Sequence, residues 1–218
     1  MKTQIFNRAI VSAGIVALLA LLLPSAAWAQ DKPWYVTGGL GASFVDDVDA
    51  TQAGVTLTTE LDTGIFATGA FGRSFGNFRA EGELAYNTND VSALSVPGVG
   101  GVTASGDIST FAFMVNGYYD FSTNSKWKPY IGGGIGGGNV SVNSLSVVGV
   151  LLADDDTTVL AYQAKVGVAY EFSPAWEGTL GYRFFGTEDA DFVDSSGSPF
   201  STDGIKAHIV EVGFRFRF

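Results

Sequence analysis

Along much of this chain, apolar and polar side chains alternate one for one. A side-chain period of two marks a β-strand, because successive residues point to opposite faces. At the C-terminus Val210, Val212, Phe214, Phe216 and Phe218 share one face, and Glu211, Gly213, Arg215 and Arg217 the other. Phe78, Ala80, Gly82, Leu84 and Tyr86 alternate in the same way with Arg79, Glu81, Glu83, Ala85 and Asn87. Near the start, Trp34, Val36, Leu40 and Phe44 oppose Tyr35, Thr37, Gly41 and Ser43. The stretches "TFAFMVNGYYDF", "PYIGGGIGGG", "AYQAKVGVAYEF" and "WEGTLGYRFF" read as further strands, while "GIFATGAFGRSF" alternates only weakly. In all there are about eight segments in four pairs, each close to the roughly 9 to 11 residues that a tilted strand needs to cross a bilayer.

The connections alternate in length. Short turns fall at Gly76-Asn77, from Ser122 to Lys126 and at Ser173-Pro174, whereas residues 45–63, 87–107, 139–158 and 186–205 form long segments. Membrane barrels have short periplasmic turns and long external loops. The residues flanking the short ends are aromatic: Trp34, Phe75, Phe78, Phe121, Trp127, Tyr130, Phe172 and Trp176, with Phe218 at the terminus. They predict a girdle where the bilayer meets water. The expected fold is therefore all-β: a membrane-spanning, antiparallel up-and-down barrel of about eight strands with four long external loops.

Composition agrees. The chain has 29 Gly, 17 Phe and 8 Tyr, only 16% charged residues and a mean hydropathy of +0.23. Residues 1–29 carry Lys2 and Arg8, an apolar run from Ala9 to Leu23, and Ala27-Trp28-Ala29. That is a charged region, a hydrophobic region and a small-residue cleavage site, so they read as a cleaved secretory signal peptide preceding a barrel domain over 30–218. With no Cys, an exported chain has no disulfide framework, and its stability has to come from closure of the fold.

The stretches "NFRAEGELAYN", "WKPYIGGGIG", "LGYRFF" and "VEVGFRFRF" resemble the opacity-type porins and OmpA-like small barrels, the outer membrane protein β-barrel domain of Gram-negative surface antigens. The resemblance covers the whole of residues 30–218. It implies placement in the Gram-negative outer membrane, delivery by periplasmic chaperones, and recognition of Phe214, Phe216 and Phe218 by the barrel-assembly machinery. It also implies a barrel without the peptidoglycan-binding domain of full-length OmpA-type proteins, because the sequence stops at the last strand.

A barrel of about eight strands is filled by its own side chains. The inward positions predict a lumen charge network of Arg79, Glu81, Glu83, Lys165, Glu171, Glu177, Arg183, Glu211, Arg215 and Arg217, with Asp120 beside them. If the Ser173-Pro174 turn sets the register, Lys165 lies opposite Arg183 and Glu171 opposite Glu177. Like charges opposed on neighbouring strands destabilise, so partners are expected across the lumen: Glu81 and Glu83 for the two cations, Arg215 and Arg217 for the two acids.

Other chemistry is thinly represented. "GGGIGGG" contains a formal G-x-G-x-x-G, but no helix follows to hold phosphates, so the glycines read as strand positions that leave room for large neighbours. His208, the lone histidine, takes the outward parity and has no serine two residues on. An interfacial or packing role is the expectation, with no catalytic, metal or cofactor site. Acid concentrates in the long segments: Asp46, Asp47, Asp49, Glu60 and Asp62, then Asp154, Asp155 and Asp156, then Glu188, Asp189, Asp191 and Asp194. A formal charge of −10 disfavours nucleic acid as a partner. The Asp154–Asp156 run lacks the spacing of an EF-hand calcium loop.

Two functional readings follow. One is a structural and surface-display protein whose acidic loops meet a host or matrix ligand or support the envelope, with the lumen closed by charges. The other is a narrow channel or conduit for small solutes. Strand count and lumen charge favour the first.

Overall fold

The computed structural model describes residues 33–52, 55–96, 100–147, 150–193 and 199–218. The segment read as a signal peptide lies outside these residues. Eight long strands make the barrel: β1 (Trp34–Val45), β4 (Gly64–Phe75), β5 (Phe78–Val96), β6 (Gly100–Asp120), β7 (Trp127–Val147), β8 (Val150–Ser173), β9 (Trp176–Thr187) and β12 (Lys206–Arg217). Among the described residues four short strands lie between them: β2 (Val48–Gln52), β3 (Val55–Leu61), β10 (Ala190–Val193) and β11 (Pro199–Thr202). Each long strand pairs antiparallel with its sequence neighbour among the eight, and β1 pairs with β12 through Tyr35 opposite Arg217, so the sheet is a closed eight-stranded barrel without a free edge.

The alternation decides which face meets lipid. Leu40, Ile65, Phe111, Ile135, Leu180 and Val212 stand exposed on the outer wall, while Tyr35, Glu83, Met114 and Arg183 are buried inside. At the short-turn end, Gly76 adopts a positive φ of 69°, the left-handed conformation that a tight turn requires and that costs glycine little.

At the other end, the segments read as loops are largely strand. β5 and β6 stay paired to Val96 opposite Gly100, and β7 and β8 to Val147 opposite Val150. With 21 residues at roughly 3.3 Å each, β6 is about twice as long as a bilayer crossing demands. A second sheet, in the order β10-β11-β2-β3, joins the extension of β5. Together they form a collar beyond the membrane.

Candidate functional site

The interior is built in tiers by the inward residues of successive strands. At its centre Glu83, on β5, receives two hydrogen bonds from Arg183 at 2.7 and 3.1 Å and one from Lys165 at 2.7 Å. β8 and β9 place those two cations directly opposite each other, and Glu83 is the carboxylate that separates them electrostatically. Arg183 also donates to Glu211 at 2.8 and 3.1 Å, and Gln163 donates to Glu83 at 2.9 Å. Arg183 is fully buried, yet all three of its guanidinium nitrogens are bonded. A charge buried without such partners would be strongly destabilising.

Glu81 departs from expectation. It takes neither Lys165 nor Arg183, and instead accepts from Tyr118 at 2.6 Å, Tyr35 at 3.1 Å and Asn116 at 3.3 Å, with Arg79 at 3.9 Å. The hydroxyls of Tyr35 on β1 and Tyr118 on β6 take its two oxygens instead. Arg79 donates to Asp120 at 2.7 Å.

Near the short turns Glu177 gathers Arg215 at 2.6 Å, Arg217 at 3.1 Å and Lys128 at 3.8 Å. Glu171 bonds Lys128 and not the two arginines, because Lys128 stands on the adjacent strand β7 and lies nearer than anything across the lumen. Lys128 belongs to the network and was missed. In the glycine-rich β7 few large side chains mark the outward face, but Trp127, Ile131 and Ile135 share one parity, which places Lys128 and Tyr130 inside. Tyr130 is accordingly not a girdle residue: it is buried in the lumen, edge-on to Tyr118 with ring centroids 6.1 Å apart.

The lumen glycines make this packing feasible. A Cβ on Gly132 would lie 2.2 Å from the Tyr118 ring, and one on Gly72 would lie 2.3 Å from the Tyr35 ring. The glycine run is therefore room for tyrosines, consistent with the use of glycine where something else must approach the backbone closely.

One step outward along the strands the lining becomes apolar. Beyond Glu83, Asn116, Arg183 and Glu211 come Ala85, Met114, Phe185 and Ile209, joined by Phe66, Ala112, Ala161 and Ala207 in one buried cluster. The Arg183 guanidinium lies 4.3 Å from the Phe66 ring centre, so the apolar tier sits directly on the ionic one. Sequence reading did not anticipate this tier, because apolar residues on both faces erase the alternation.

On the outer wall at the short-turn end, aromatic rings touch in series. Trp34 stacks on Phe71 at 5.2 Å, Phe78 meets Tyr119 at 5.1 Å, Trp127 meets Tyr170 at 4.7 Å and Trp176 meets Phe216 at 4.7 Å. Phe121, Phe172 and Phe214 continue the series, and Phe75 carries Arg73 over its ring at 5.3 Å. Phe218 stands on the same wall, and its N–H donates to the Trp34 carbonyl at 2.9 Å. At the opposite end His208 faces outward, its ring nitrogens 2.6 Å from Tyr182 Oη and 3.6 Å from Asp46. Asp46, Asp47, Asp49 and Asp62 are exposed, as are Glu188 and Asp189. Asp154, Asp155 and Asp156 lie within β8, and their side chains fall outside the described residues.

A closed eight-stranded barrel with a lipid-compatible wall and an ion-paired interior is an outer-membrane architecture. The chain belongs to the outer membrane protein beta-barrel domain family, whose model matches residues 15–218. It is 26% identical over 185 residues to a candidate adhesin of Rickettsia bellii, covering 78% of this chain and 80% of that protein. It is 31% identical over 115 residues to Major surface antigen 4 of Anaplasma marginale, covering 50% of this chain but only 37% of that antigen. Among solved structures, the outer membrane protein OprG from Pseudomonas aeruginosa is similar at a TM-score of 0.54 with 18% identity, over 86% of this chain and 97% of that one. Neisserial surface protein A is similar at 0.52, also with 18% identity, over 85% and 97%. These likenesses place the protein among Gram-negative outer-membrane barrels with surface-antigen relatives.

Proposed function

We propose that this chain is a non-enzymatic structural and surface-display protein, a sealed outer-membrane barrel that carries an acidic collar into the medium. The observation that supports the reading is a pair of side-chain tiers across the interior, an ionic one around Glu83 and an apolar one around Met114 and Phe66, and in this reading the two together close the lumen. Small solutes meet charge pairs and then a packed hydrocarbon layer, so little is left to the strands except to hold the collar in place. Loops held by a rigid scaffold are where such proteins place function. The names of the antigen and adhesin relatives support a collar that touches host cells or matrix. In this reading residues 1–29 direct export, and Phe214, Phe216 and Phe218 present the last strand to the barrel-assembly machinery after periplasmic chaperones deliver the chain.

The test is a variant in which all four external segments are replaced by short turns. It is expected to fold and insert but to lose the binding to cells or immobilised matrix that the parent shows. Equal binding by both proteins would contradict the reading.

A further inference from the structure

The lipid-facing wall carries a groove of about 340 Å³ where β4, β5 and β6 run side by side, lined by Gly69, Phe71, Gly82, Leu84 and Phe113. The two glycines leave it deep. A Cβ on Gly69 would meet nothing within 4 Å, and Phe71 and Leu84 stand exposed beside it. Glu83 borders the groove only from behind, since its carboxylate bonds Lys165 and Arg183 inside the lumen.

Arg73 stands at the short-turn end of this groove. It follows Phe71 by two residues, so the two side chains share the outward face, and the ladder sets Arg73 opposite Ala80 as it sets Phe71 opposite Gly82. At roughly 3.3 Å per residue, the groove begins about 7 Å further along the strands toward the middle of the bilayer, with only the small Ala80 between. The Arg73 guanidinium lies 5.0 Å from the Trp34 ring centre and 5.3 Å from that of Phe75, which places it at the depth of the aromatic girdle. Among the described residues no other charged side chain takes the outer face of the wall at this end, and the three short turns that fringe it carry Lys126 as their one charge.

We propose that Arg73 and this groove together hold one anionic phospholipid of the periplasmic leaflet, its phosphate on the guanidinium and an acyl chain in the groove. An arginine on the lipid face of a barrel is costly in the hydrocarbon but costs little at the interface. Its planar fork of five donors matches phosphate oxygens, and a protein partner on one edge leaves another edge for the lipid. The groove gives a chain more close contacts than a flat wall would, each small and together large. Charge selects the leaflet: Asp46, Asp47, Asp49 and Asp62 are exposed at the external end and repel phosphate, whereas the outer face at the short-turn end presents cations. The inference goes beyond the display function and needs only the outer-membrane placement.

The test mixes the full folded chain in detergent with dioleoylphosphatidylglycerol and releases it in a native mass spectrometer. One retained lipid per barrel is expected, at a collision energy that strips the rest. Dioleoylglycerol has the chains without the phosphate and glycerophosphate the phosphate without the chains, and both are expected to leave the barrel bare. Arg73→Gln is expected to lower the retained fraction about tenfold or more, as the loss of a charged hydrogen bond implies. Gly69→Leu, which fills the groove from the open wall, is expected to lower it as well. Retention at the parental level by either variant overturns the proposal, and so does a parent that retains no phosphatidylglycerol or retains dioleoylglycerol equally. Those last two results come from the parent alone, so they decide the matter even where Arg73→Gln does not fold.

Discussion

Glu83 and Arg183 meet across the lumen through two parallel hydrogen bonds of 2.7 and 3.1 Å, with the arginine completely buried. This fork-to-fork geometry is the strongest form of charged hydrogen bond available to a side-chain pair. It also relieves a conflict written into the strand register, because Arg183 stands directly opposite Lys165. Glu83→Gln removes the carboxylate that bonds both cations most closely and leaves them only Glu211, and breaking a buried pair in this way costs about 3–5 kcal/mol. Glu81→Gln should cost less, about 1.5–3 kcal/mol, since Glu81 is held mainly by hydroxyl and amide donors. Urea unfolding in liposomes measures both, and equal or negligible losses would mean that the charges are solvated independently.

The inward glycines give a prediction with an internal control. Gly132→Ala drives a methyl into the Tyr118 ring, whose hydroxyl serves both Glu81 and Lys165. Overpacking of this kind costs about 1–3 kcal/mol, and here the displaced ring also abandons two bonds. Gly69→Ala, on the open outer wall where a Cβ meets nothing within 4 Å, should be close to neutral. The same unfolding assay separates them, and a Gly132→Ala protein as stable as Gly69→Ala would show that the tyrosine has room to move.

Closure of the barrel depends on the last strand, whose final N–H reaches Trp34 at 2.9 Å. Phe218→Ser removes the terminal ring from the outer wall, where it lies 6.1 Å from Phe216 and 6.4 Å from Phe71. The expected outcome is accumulation in the periplasm and loss of the heat-dependent gel shift that marks folded barrels in outer-membrane fractions. Folded Phe218→Ser protein at the level of the parent would remove the ring from any role in assembly.

How much of this was legible depended on whether alternation survived. In β5 and β12 charged and apolar residues alternate cleanly, and the lumen set from Arg79 to Glu83 and from Glu211 to Arg217 could be read directly. The tight turn after Ser173 predicts Lys165 opposite Arg183 and Glu171 opposite Glu177, and the ladder has both pairs. Where alternation fails, so did the reading. β7 has glycine on both faces, which hid Lys128 and misplaced Tyr130. In "GIFATGAF", "AFMV" and "YRFF" apolar residues occupy both faces, which hid Phe66, Met114 and Phe185 and with them the whole apolar tier. Partner choice was legible only in part: strand register fixes which residues are neighbours, but which of Glu81 and Glu83 turns toward Lys165 depends on the tyrosines that claim the other.

Whether the lumen is sealed is decided by single-channel recording of the purified, refolded protein in a planar bilayer. Eight strands leave an interior only wide enough for side chains, and here that interior holds paired charges below a packed tier around Met114, itself 0% exposed. No large, stable single-channel current is expected, either from the parent or from the variant lacking the four external segments. Reproducible porin-scale conductance from the parent, unchanged when those segments are removed, would contradict it and make the barrel a channel.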